Sequence, residues 1–245
     1  MKNKVVVGVV AAVVVVGVGV YLASRDGGDV GQPGSPAAAS VPASGQPVGR
    51  PNGVFQDTSM LKPPAGAKVA IYEFDDLECP ACAHALPIVR AAVERYKIPL
   101  VHRDFPLTEI HVWSFDAAVT ARYLQDKVSP ALADDFRRDV FANQNEISNK
   151  DDLARFTSGW FQAHRVSLPF VMDASCQNEV KADRALGDRL GVGPHGTPCI
   201  FVVTQQGWTE VKVQDINQLY RVIDAAIAQT SAGVTPVVDD RKRES

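Results

Sequence analysis

Two cysteines one helical turn apart constrain the fold of this chain more than any other feature. Cys79 and Cys82 stand where a predicted strand, Lys68–Phe74, leads into a predicted helix, Cys79–Tyr96. The strand segment is short and rich in β-branched and aromatic residues, whereas apolar residues recur in the helix segment with a period of about 3.6 residues. The chain must therefore place both sulfurs at the amino-terminal end of a helix that packs on a sheet.

Each residue of this motif has a chemical use at that place. Cys79 is expected at the N-cap, where unpaired amides and the positive end of the helix dipole favour a thiolate over a thiol. Pro80 suits the first helical position, because its missing amide hydrogen would have no partner there. Cys82 can close a small disulfide ring with Cys79 or resolve a mixed disulfide formed at Cys79. The alternatives are an inert disulfide and a structural zinc site, but Cys176 and Cys199 are too widely spaced to complete a zinc site.

Strand and helix patterns alternate along the rest of the sequence. A second strand is predicted at Ile98–Phe105, and a hairpin at Cys199–Thr204 and Thr209–Val213 precedes a last helix that ends near Gln229. Between them lie four helical patterns, at His111–Leu124, Pro130–Phe141, Lys150–His164 and Ser175–Leu190. This order predicts one α/β domain over residues 54–230.

The amino-terminal part of the chain is composed differently. Residues 5–23 carry no charge, are mostly Val, Gly and Ala, and follow two lysines. A helix of this length would be roughly 28 Å long, close to the thickness of a hydrocarbon core. We predict a membrane anchor over residues 1–23 with a cytoplasmic amino terminus, and a cleaved signal peptide is the alternative. Either one exports the remainder of the chain.

Two further segments lack the composition of a packed core. Residues 24–53 contain seven Gly and five Pro but few large apolar side chains, which predicts a flexible tether. Residues 231–245 are polar and predict a frayed tail. The charges of the whole chain, 25 basic and 28 acidic residues, are balanced and well mixed. This excludes the one-sided basic surface that nucleic-acid binding requires.

The chain resembles the thioredoxin superfamily, and more narrowly the DsbA-like thiol-disulfide oxidoreductases, over about residues 68–229. The resemblance rests on Cys79-Pro80-Ala81-Cys82 after a strand, on Pro87, on Thr197-Pro198 before a strand, and on the helical block between the strands. It implies a thioredoxin fold with a helical insertion, at about residues 108–190, between the βαβ and ββα halves. It also implies a cis peptide bond before Pro198 and pairing of the backbone around Thr197 with an extended substrate.

Glu73 lies six residues before Cys79, at the position of the buried acid in DsbA-like proteins. On an inward strand face its carboxyl group would exchange protons with Cys82, and on the opposite face it would be an ordinary solvated residue. His195 precedes Pro198 by three residues and would either contact the substrate or lie exposed in a turn.

Two features of the sequence oppose the acidity of Cys79. The sequence departs from DsbA at Ala81, where DsbA has histidine, so one source of thiolate stabilisation is absent. Asp75, Asp76 and Glu78 should oppose a thiolate at Cys79 through repulsion of like charges.

Cys176 and Cys199 are predicted to form a second disulfide that stabilises the fold, with two buried thiols as the alternative. The remaining histidines, His84, His102, His111 and His164, are treated as structural, and Trp113, Trp160 and Trp208 as core or rim residues.

Together these features predict a membrane-tethered enzyme with its catalytic domain in the periplasm or another extracytoplasmic space. It would donate its Cys79–Cys82 disulfide to reduced exported proteins, without a cofactor or metal. The resemblance implies re-oxidation by a quinone-linked membrane partner, DsbB-like or similar to vitamin K epoxide reductase. Three alternatives remain: a reductase or isomerase that uses the same site, a non-catalytic peptide-binding module, and a peroxidatic cysteine enzyme.

Overall fold

A computed structural model describes residues 55–167 and 173–232. Within these ranges the strands are β1 (Val69–Asp75), β2 (Leu100–Asp104), β3 (Cys199–Thr204) and β4 (Trp208–Val211). The helices are α1 (Pro80–Tyr96), α2 (Ser114–Tyr123), α3 (Pro130–Ala142), α4 (Lys150–Ala163), α5 (Ala174–Leu190) and α6 (Leu219–Ala232). Short helical turns lie between several of them. The predicted α/β thioredoxin fold with a helical insertion is confirmed, because α2 to α5 lie between β2 and β3.

The four strands form one sheet in the order β2-β1-β3-β4. β1 is parallel to β2 and antiparallel to β3, which in turn is antiparallel to β4. All residues of β1 are buried. Val69 and Ile71 contribute to the core beneath α1 and α6, whereas Ala70, Tyr72 and Phe74 contribute to the core on the opposite face. The strand is therefore covered on both faces, as a central strand of a layered α/β fold must be.

The helical insertion has its own core, which includes Trp113, Phe136 and Phe161. Cys79 and Cys82 belong to the same hydrophobic cluster. The three tryptophans are buried, as predicted, with Trp208 packed on the sheet. The insertion thus forms a wall of the region around the two sulfurs.

Some element boundaries differ from the predictions. α2 begins at Ser114 and not at His111. The His111 ring is bonded to the Asp76 carboxylate, and His111 belongs to the loop that connects β2 to α2. A 3-10 segment, Val213–Gln218, occupies the first part of the predicted last helix.

The predicted anchor (residues 1–23) and tether (residues 24–53) lie outside the described residues, as does most of the predicted tail. Among the residues that the structure describes, no helix combines the length and the apolar character needed to cross a membrane.

Candidate active site

Cys79 is the N-cap residue of α1, with an extended backbone and Pro80 at the first helical position. Its carbonyl oxygen accepts the amides of Cys82 and Ala83, at 3.1 and 3.2 Å, and its own amide donates to the Asp76 carbonyl oxygen at 3.0 Å. These bonds close the first turn of the helix and hold the strand-to-helix turn against it. The sulfur of Cys79 is consequently placed at the end of the helix where amide hydrogens lack helical partners.

The two sulfurs differ in their environment. Cys79 is 7% exposed and Cys82 is 2% exposed, and both are free thiols. The Asp76 amide donates to Cys82 Sγ at 3.5 Å. Cys82 therefore lies deeper than Cys79, one turn into the helix, with its sulfur against the backbone of the preceding turn.

The pKa of Cys79 is lowered from 9.0 to about 6, first by the hydrogen bond from the Cys82 thiol and then by Thr197 and the amides of Cys82 and Ala81. These donors outweigh the cost of burying the charge. Burial raises the pKa of Cys82 well above its usual value, and the nearby charge of Asp75 adds to the effect. At neutral pH the pair is consequently one thiolate, at Cys79, and one thiol.

Two of the acidic residues around the motif, Asp76 and Glu78, bind the loop that follows β2. Asp76 accepts from the amides of Glu78 and Leu107, at 2.8 and 2.6 Å, and bonds to the His111 ring at 2.8 Å. Glu78 accepts the Trp113 amide at 2.7 Å. Both carboxylates are thus used to bind the loop that follows β2. The sequence predicts that their charge opposes a thiolate at Cys79, but the pKa of Cys79 is nevertheless lowered, because hydrogen bonds to the sulfur outweigh its burial.

The loop before β3 reaches the same place because β3 pairs with β1, with Phe74 opposite Cys199. The Thr197–Pro198 peptide bond is cis. Cys79 Sγ donates to the Thr197 carbonyl oxygen at 3.3 Å. The Thr197 hydroxyl oxygen is buried and has no hydrogen-bond partner among the described residues. The hydroxyl can therefore donate to Cys79 Sγ when the sulfur is a thiolate, which lowers the pKa of Cys79. The main chain of Thr197 therefore lies directly beside the reactive sulfur.

His195 belongs to the same loop before β3 but makes different contacts. Its ring stacks on Phe55, with centroids 4.4 Å apart, and its Nδ1 is 3.8 Å from a Glu210 carboxylate oxygen. Nε2 is buried and has no partner among the described residues. His195 is therefore not the exposed turn residue of one prediction, and its ring contacts Phe55 and Glu210.

Glu73 is 3% exposed and lies on the face of β1 that α1 covers, so it is not a solvated strand residue. Its pKa is raised from 4.5 to about 8, first by burial and then by the charge of Asp75. His102, Arg90 and Arg137 act in the opposite direction. The carboxyl group is mainly protonated at neutral pH, as a proton donor to Cys82 would have to be.

Residues 58–224 match the profile of the family described as Thioredoxin. The chain belongs to the thioredoxin family. Two curated relatives are named as Na(+)/H(+) antiporters: NhaA 3 of Salinispora tropica, 31% identical over 61% of this chain, and NhaA 1 of Salinispora arenicola, 29% identical over 78% of it. The matched part of this thioredoxin-family chain covers only 22% and 28% of their lengths.

Solved structures show the same fold. Alpha-DsbA1 of Wolbachia pipientis superposes with a TM-score of 0.56 at 15% identity, covering 73% of this chain and 99% of that one. ScsC of Proteus mirabilis has a TM-score of 0.53 at 16% identity, covering 68% of this chain and 71% of that one. At such identities the likeness concerns the fold of the thioredoxin domain alone.

The predicted disulfide between Cys176 and Cys199 is wrong. Both are free thiols in this thioredoxin domain. Cys176 packs with Ala118 and Val180 between α2 and α5, whereas Cys199 belongs to the core on the sheet face. The two side chains thus lie in separate hydrophobic clusters and act as small apolar residues, which was the alternative.

Sequence reasoning missed Gln144, which lies in a helical turn of the insertion. Its side-chain amide donates to the carbonyl oxygens of Leu77 and Cys79, at 2.8 and 3.1 Å. No local pattern marks such a residue, because its partners lie 67 and 65 positions away along the chain.

A buried ionic network beside the site was also missed. Asp104 accepts from Arg122 at 2.7 Å and from Arg137 at 2.8 Å, and Arg122 also binds Asp183. Asp75, His102 and Asp104 bring possible metal ligands within 4.8 Å of one another. Because two guanidinium groups already neutralise Asp104, this arrangement favours an ion-pair network over a metal site.

Replacing Glu73 by glutamine is expected to stabilise the protein at neutral pH. The folded state retains the proton up to about pH 8, whereas the unfolded chain releases it above 4.5, so stability falls as the pH rises between these values. Glu73→Gln removes this penalty, which is about 3 kcal/mol at most near neutral pH. Urea unfolding of both proteins at about pH 4 and pH 7 measures it.

The free energy of unfolding of Glu73→Gln is expected to exceed that of the wild type at about pH 7, and this gain should vanish at about pH 4. Glu179→Gln, on the exposed surface of α5, is the matched control and should change little at either pH. A Glu73→Gln protein that is less stable than the wild type at both pH values would contradict the prediction.

Proposed function

We propose that this protein is an extracytoplasmic thiol-disulfide oxidoreductase that donates the Cys79–Cys82 disulfide to reduced exported proteins. The observation that carries the proposal is the division of roles between the two sulfurs. Cys79 is acidic and touches the Thr197 carbonyl oxygen, while Cys82 is deeper and remains a thiol. A nucleophile with a low pKa, backed by a second sulfur, is the arrangement that thiol-disulfide exchange requires.

The reaction proceeds through a mixed disulfide. A substrate thiolate attacks Cys79 Sγ, the Cys79–Cys82 bond breaks, and its electron pair leaves on Cys82, which takes up a proton. A second substrate thiolate then attacks the substrate sulfur of the mixed disulfide, and Cys79 leaves as a thiolate. The substrate is oxidised by two electrons to a disulfide, and the enzyme is reduced by the same two.

The acidity of Cys79 favours transfer of the disulfide from the protein to its substrate. A cysteine that is stable as a thiolate is a good leaving group, and it stabilises the reduced form of the pair, which makes the oxidised form a stronger oxidant. The same site would serve a reductase or isomerase if the compartment kept it reduced.

The extracytoplasmic location of the domain is inferred from the predicted anchor and tether, residues 1–53. Proteins named as Na(+)/H(+) antiporters contain a related segment, which supports a position near a membrane. A tether of this kind raises the effective concentration of the domain near the bilayer. A quinone-linked membrane oxidase, DsbB-like or similar to vitamin K epoxide reductase, would then re-oxidise the dithiol.

The test is oxidative refolding by the full chain. The oxidised protein is mixed with a reduced, unfolded, disulfide-requiring enzyme, and recovery of that enzyme's activity is followed. A reduced Cys82→Ser variant, mixed with a substrate that already contains a disulfide, should accumulate the mixed disulfide on Cys79, visible on a non-reducing gel, because no resolving sulfur remains to release it. If refolding is no faster than without the protein, the oxidase proposal fails. Titration against glutathione buffers gives the reduction potential and separates an oxidase from a reductase.

Alkylation of the reduced protein should report the acidity of Cys79 directly. The rate at this sulfur is expected to rise with pH around a midpoint near 6, whereas an ordinary thiol of pKa 9.0 would still be protonated. About 90% of Cys79 would be thiolate at pH 7, compared with about 1% of an ordinary thiol of this kind. Mass spectrometry after a timed iodoacetamide pulse assigns the rate to each cysteine.

The same pulse on the urea-unfolded chain serves as the control, since all four cysteines should then titrate alike. A midpoint at or above about pH 8 for folded Cys79 would mean that it is not activated.

A further inference from the structure

Phe55 packs against the loop before β3, although it follows shortly after the predicted tether, residues 24–53. Its side chain is 4% exposed. The ring stacks on the His195 ring, with centroids 4.4 Å apart and planes 24° apart. It also meets Phe201 and Trp208 edge to face, with centroids 5.0 and 5.6 Å away. A residue far outside the cysteine motif therefore touches the loop that lies beside the reactive sulfur.

Phe55 is itself fixed to rigid parts of the fold. Phe201 and Trp208, its edge-to-face partners, lie on the paired strands β3 and β4. The amide of the next residue, Gln56, donates to the Leu190 carbonyl oxygen at the end of α5, at 2.8 Å. A ring held on regular elements can hold another ring more firmly than a ring in a free loop can. Phe55 is thus suited to fix the position of His195.

The His195 ring has a second contact, to β4. Its Nδ1 is 3.8 Å from a Glu210 carboxylate oxygen, and Lys212 Nζ donates to the same carboxylate. Nε2 of the ring is buried and has no partner among the described residues, which is costly for a polar atom. The ring keeps this position nevertheless, so its stacking on Phe55 and its contact with Glu210 offset the cost.

The backbone carries the position of His195 to the sulfur within two residues. The amides of His195 and Gly196 both donate to the Val192 carbonyl oxygen, at 2.9 and 3.0 Å, and so close a turn after α5. Gly196 has a φ of 77°, which suits glycine and disfavours other residues. Thr197 follows, and its carbonyl oxygen accepts from Cys79 Sγ at 3.3 Å. A shift of the His195 ring would therefore be felt at the sulfur.

A small cavity beside the loop makes the contacts of this ring important. The cavity measures about 100 Å³, and its lining includes His195, Pro198, Cys199, Glu210 and Lys212. Groups that border a void lack attractive contacts on that side. The loop is consequently not fixed by close packing against β4 along its whole length, and the contacts of the His195 ring supply the missing restraint.

We propose that Phe55, His195 and Glu210 form a clamp that holds Thr197 against the Cys79 sulfur. The segment that precedes β1 is then part of the active site. The clamp rests on the proposed function and adds to it the group that fixes the surroundings of the nucleophile. Because the three side chains act on the sulfur through Thr197, they are positioning residues and not catalytic ones.

The clamp matters because a hydrogen bond depends steeply on its distance and angle. The Thr197 hydroxyl is one of the donors that lower the pKa of Cys79. If the loop is released, this donor is less well placed and the pKa of Cys79 rises. Cys79 is then a thiolate over a narrower pH range and a poorer leaving group, so the oxidised pair is a weaker oxidant.

The test measures how much of Cys79 is thiolate in the reduced full chain. Timed alkylation with iodoacetamide across the pH range, read by mass spectrometry, gives the midpoint for this cysteine. Losing one well-placed donor to a charged sulfur should lower the thiolate fraction at about pH 5 by about tenfold in Phe55→Ala and in His195→Ala. His195→Phe keeps a flat ring that can stack on Phe55, so its midpoint should stay closer to that of the wild type.

A double-mutant cycle separates a clamp from two independent effects. If Phe55 acts through His195, the variant with both residues replaced by alanine should have the same midpoint as His195→Ala alone. Tyr220→Ala is the matched control. It also removes one ring of an aromatic pair, Tyr96 and Tyr220, but this pair lies at the end of α1 opposite Cys79. Its midpoint should remain near 6, as in the wild type.

An unchanged midpoint in Phe55→Ala and His195→Ala would overturn the clamp, even if both variants unfold at lower urea concentration, because the contacts would then be structural only. Midpoint changes that add in the double variant would overturn it as well. Should the alanine variants not fold, Phe55→Leu decides, since it keeps an apolar side chain without a flat ring, and an unchanged midpoint there rules the clamp out. The proposed function fails separately, if the wild type does not speed the refolding of a reduced enzyme, whatever the midpoints are.

Discussion

Replacing Cys79 by alanine is expected to abolish disulfide transfer to a reduced substrate, with a loss of at least about 1,000-fold to the uncatalysed background. Cys82 cannot take over, because it is 2% exposed and its pKa is raised by burial. The assay is oxidative refolding of a reduced enzyme, with free thiols counted at the end.

The matched control for Cys79→Ala is Cys176→Ala. This cysteine is also buried, but it packs between α2 and α5 in a separate cluster, so its loss should leave disulfide transfer near the wild-type rate. Circular dichroism and thermal melting verify that both variants are folded. If refolding were as fast with Cys79→Ala as with the wild type, Cys79 would not be the nucleophile and the proposed function would fail; retained peptide binding in that variant would support a non-catalytic peptide-binding module.

The second large effect is expected on stability. Asp104→Ala should destabilise the protein by about 3–5 kcal/mol, because it leaves the guanidinium groups of Arg122 and Arg137 buried without their shared carboxylate. Arg122 retains Asp183, whereas Asp104 is the one carboxylate paired with Arg137 among the described residues. Urea unfolding followed by circular dichroism gives the free energy of unfolding directly.

The pH dependence of this effect has a definite sign. Burial would raise the pKa of Asp104, but Arg137, His102 and Arg122 hold it well below 3.8. The contribution of Asp104 is therefore present above pH 3.8 and is lost as the pH falls further, so the two proteins should approach one another in acid. Asp135→Ala, which breaks an exposed pair with Arg138 on α3, should cost less than about 1 kcal/mol. A loss at Asp104 no larger than that would contradict the prediction.

The part of the site that depends on neighbouring residues was predictable from the sequence. The N-cap position of Cys79 follows from a strand pattern, a proline and a helical period within one short stretch. The positions of β1 and β3 are likewise encoded locally, by short runs of β-branched and aromatic residues. The resemblance to the thioredoxin superfamily then placed the loop before Pro198 beside the motif, and the family match agrees with it.

The rest depends on contacts between distant residues. Asp104 meets Arg122, Arg137 and, through Arg122, Asp183, which lie on three different helices. Nothing within one segment shows that these charges share one site. Spacing also could not show that Cys176 and Cys199 lie in separate clusters, since that depends on which way each element turns its side chains. The contacts of Asp76 and Glu78 could not be predicted for the same reason, because both carboxylates bind a loop that arrives from β2.

The hydrogen bonds of Gln144 and the shared hydrophobic cluster make the insertion a component of the reactive turn. The helices hold the carbonyl groups of Leu77 and Cys79 from outside the sheet. If the helical block were transplanted onto another scaffold of this fold, the part of the wall that it forms around the sulfurs would be transferred with it. A chimaera that exchanges only the block is therefore expected to acquire a new reduction potential, while its strands and its cysteine motif stay the same.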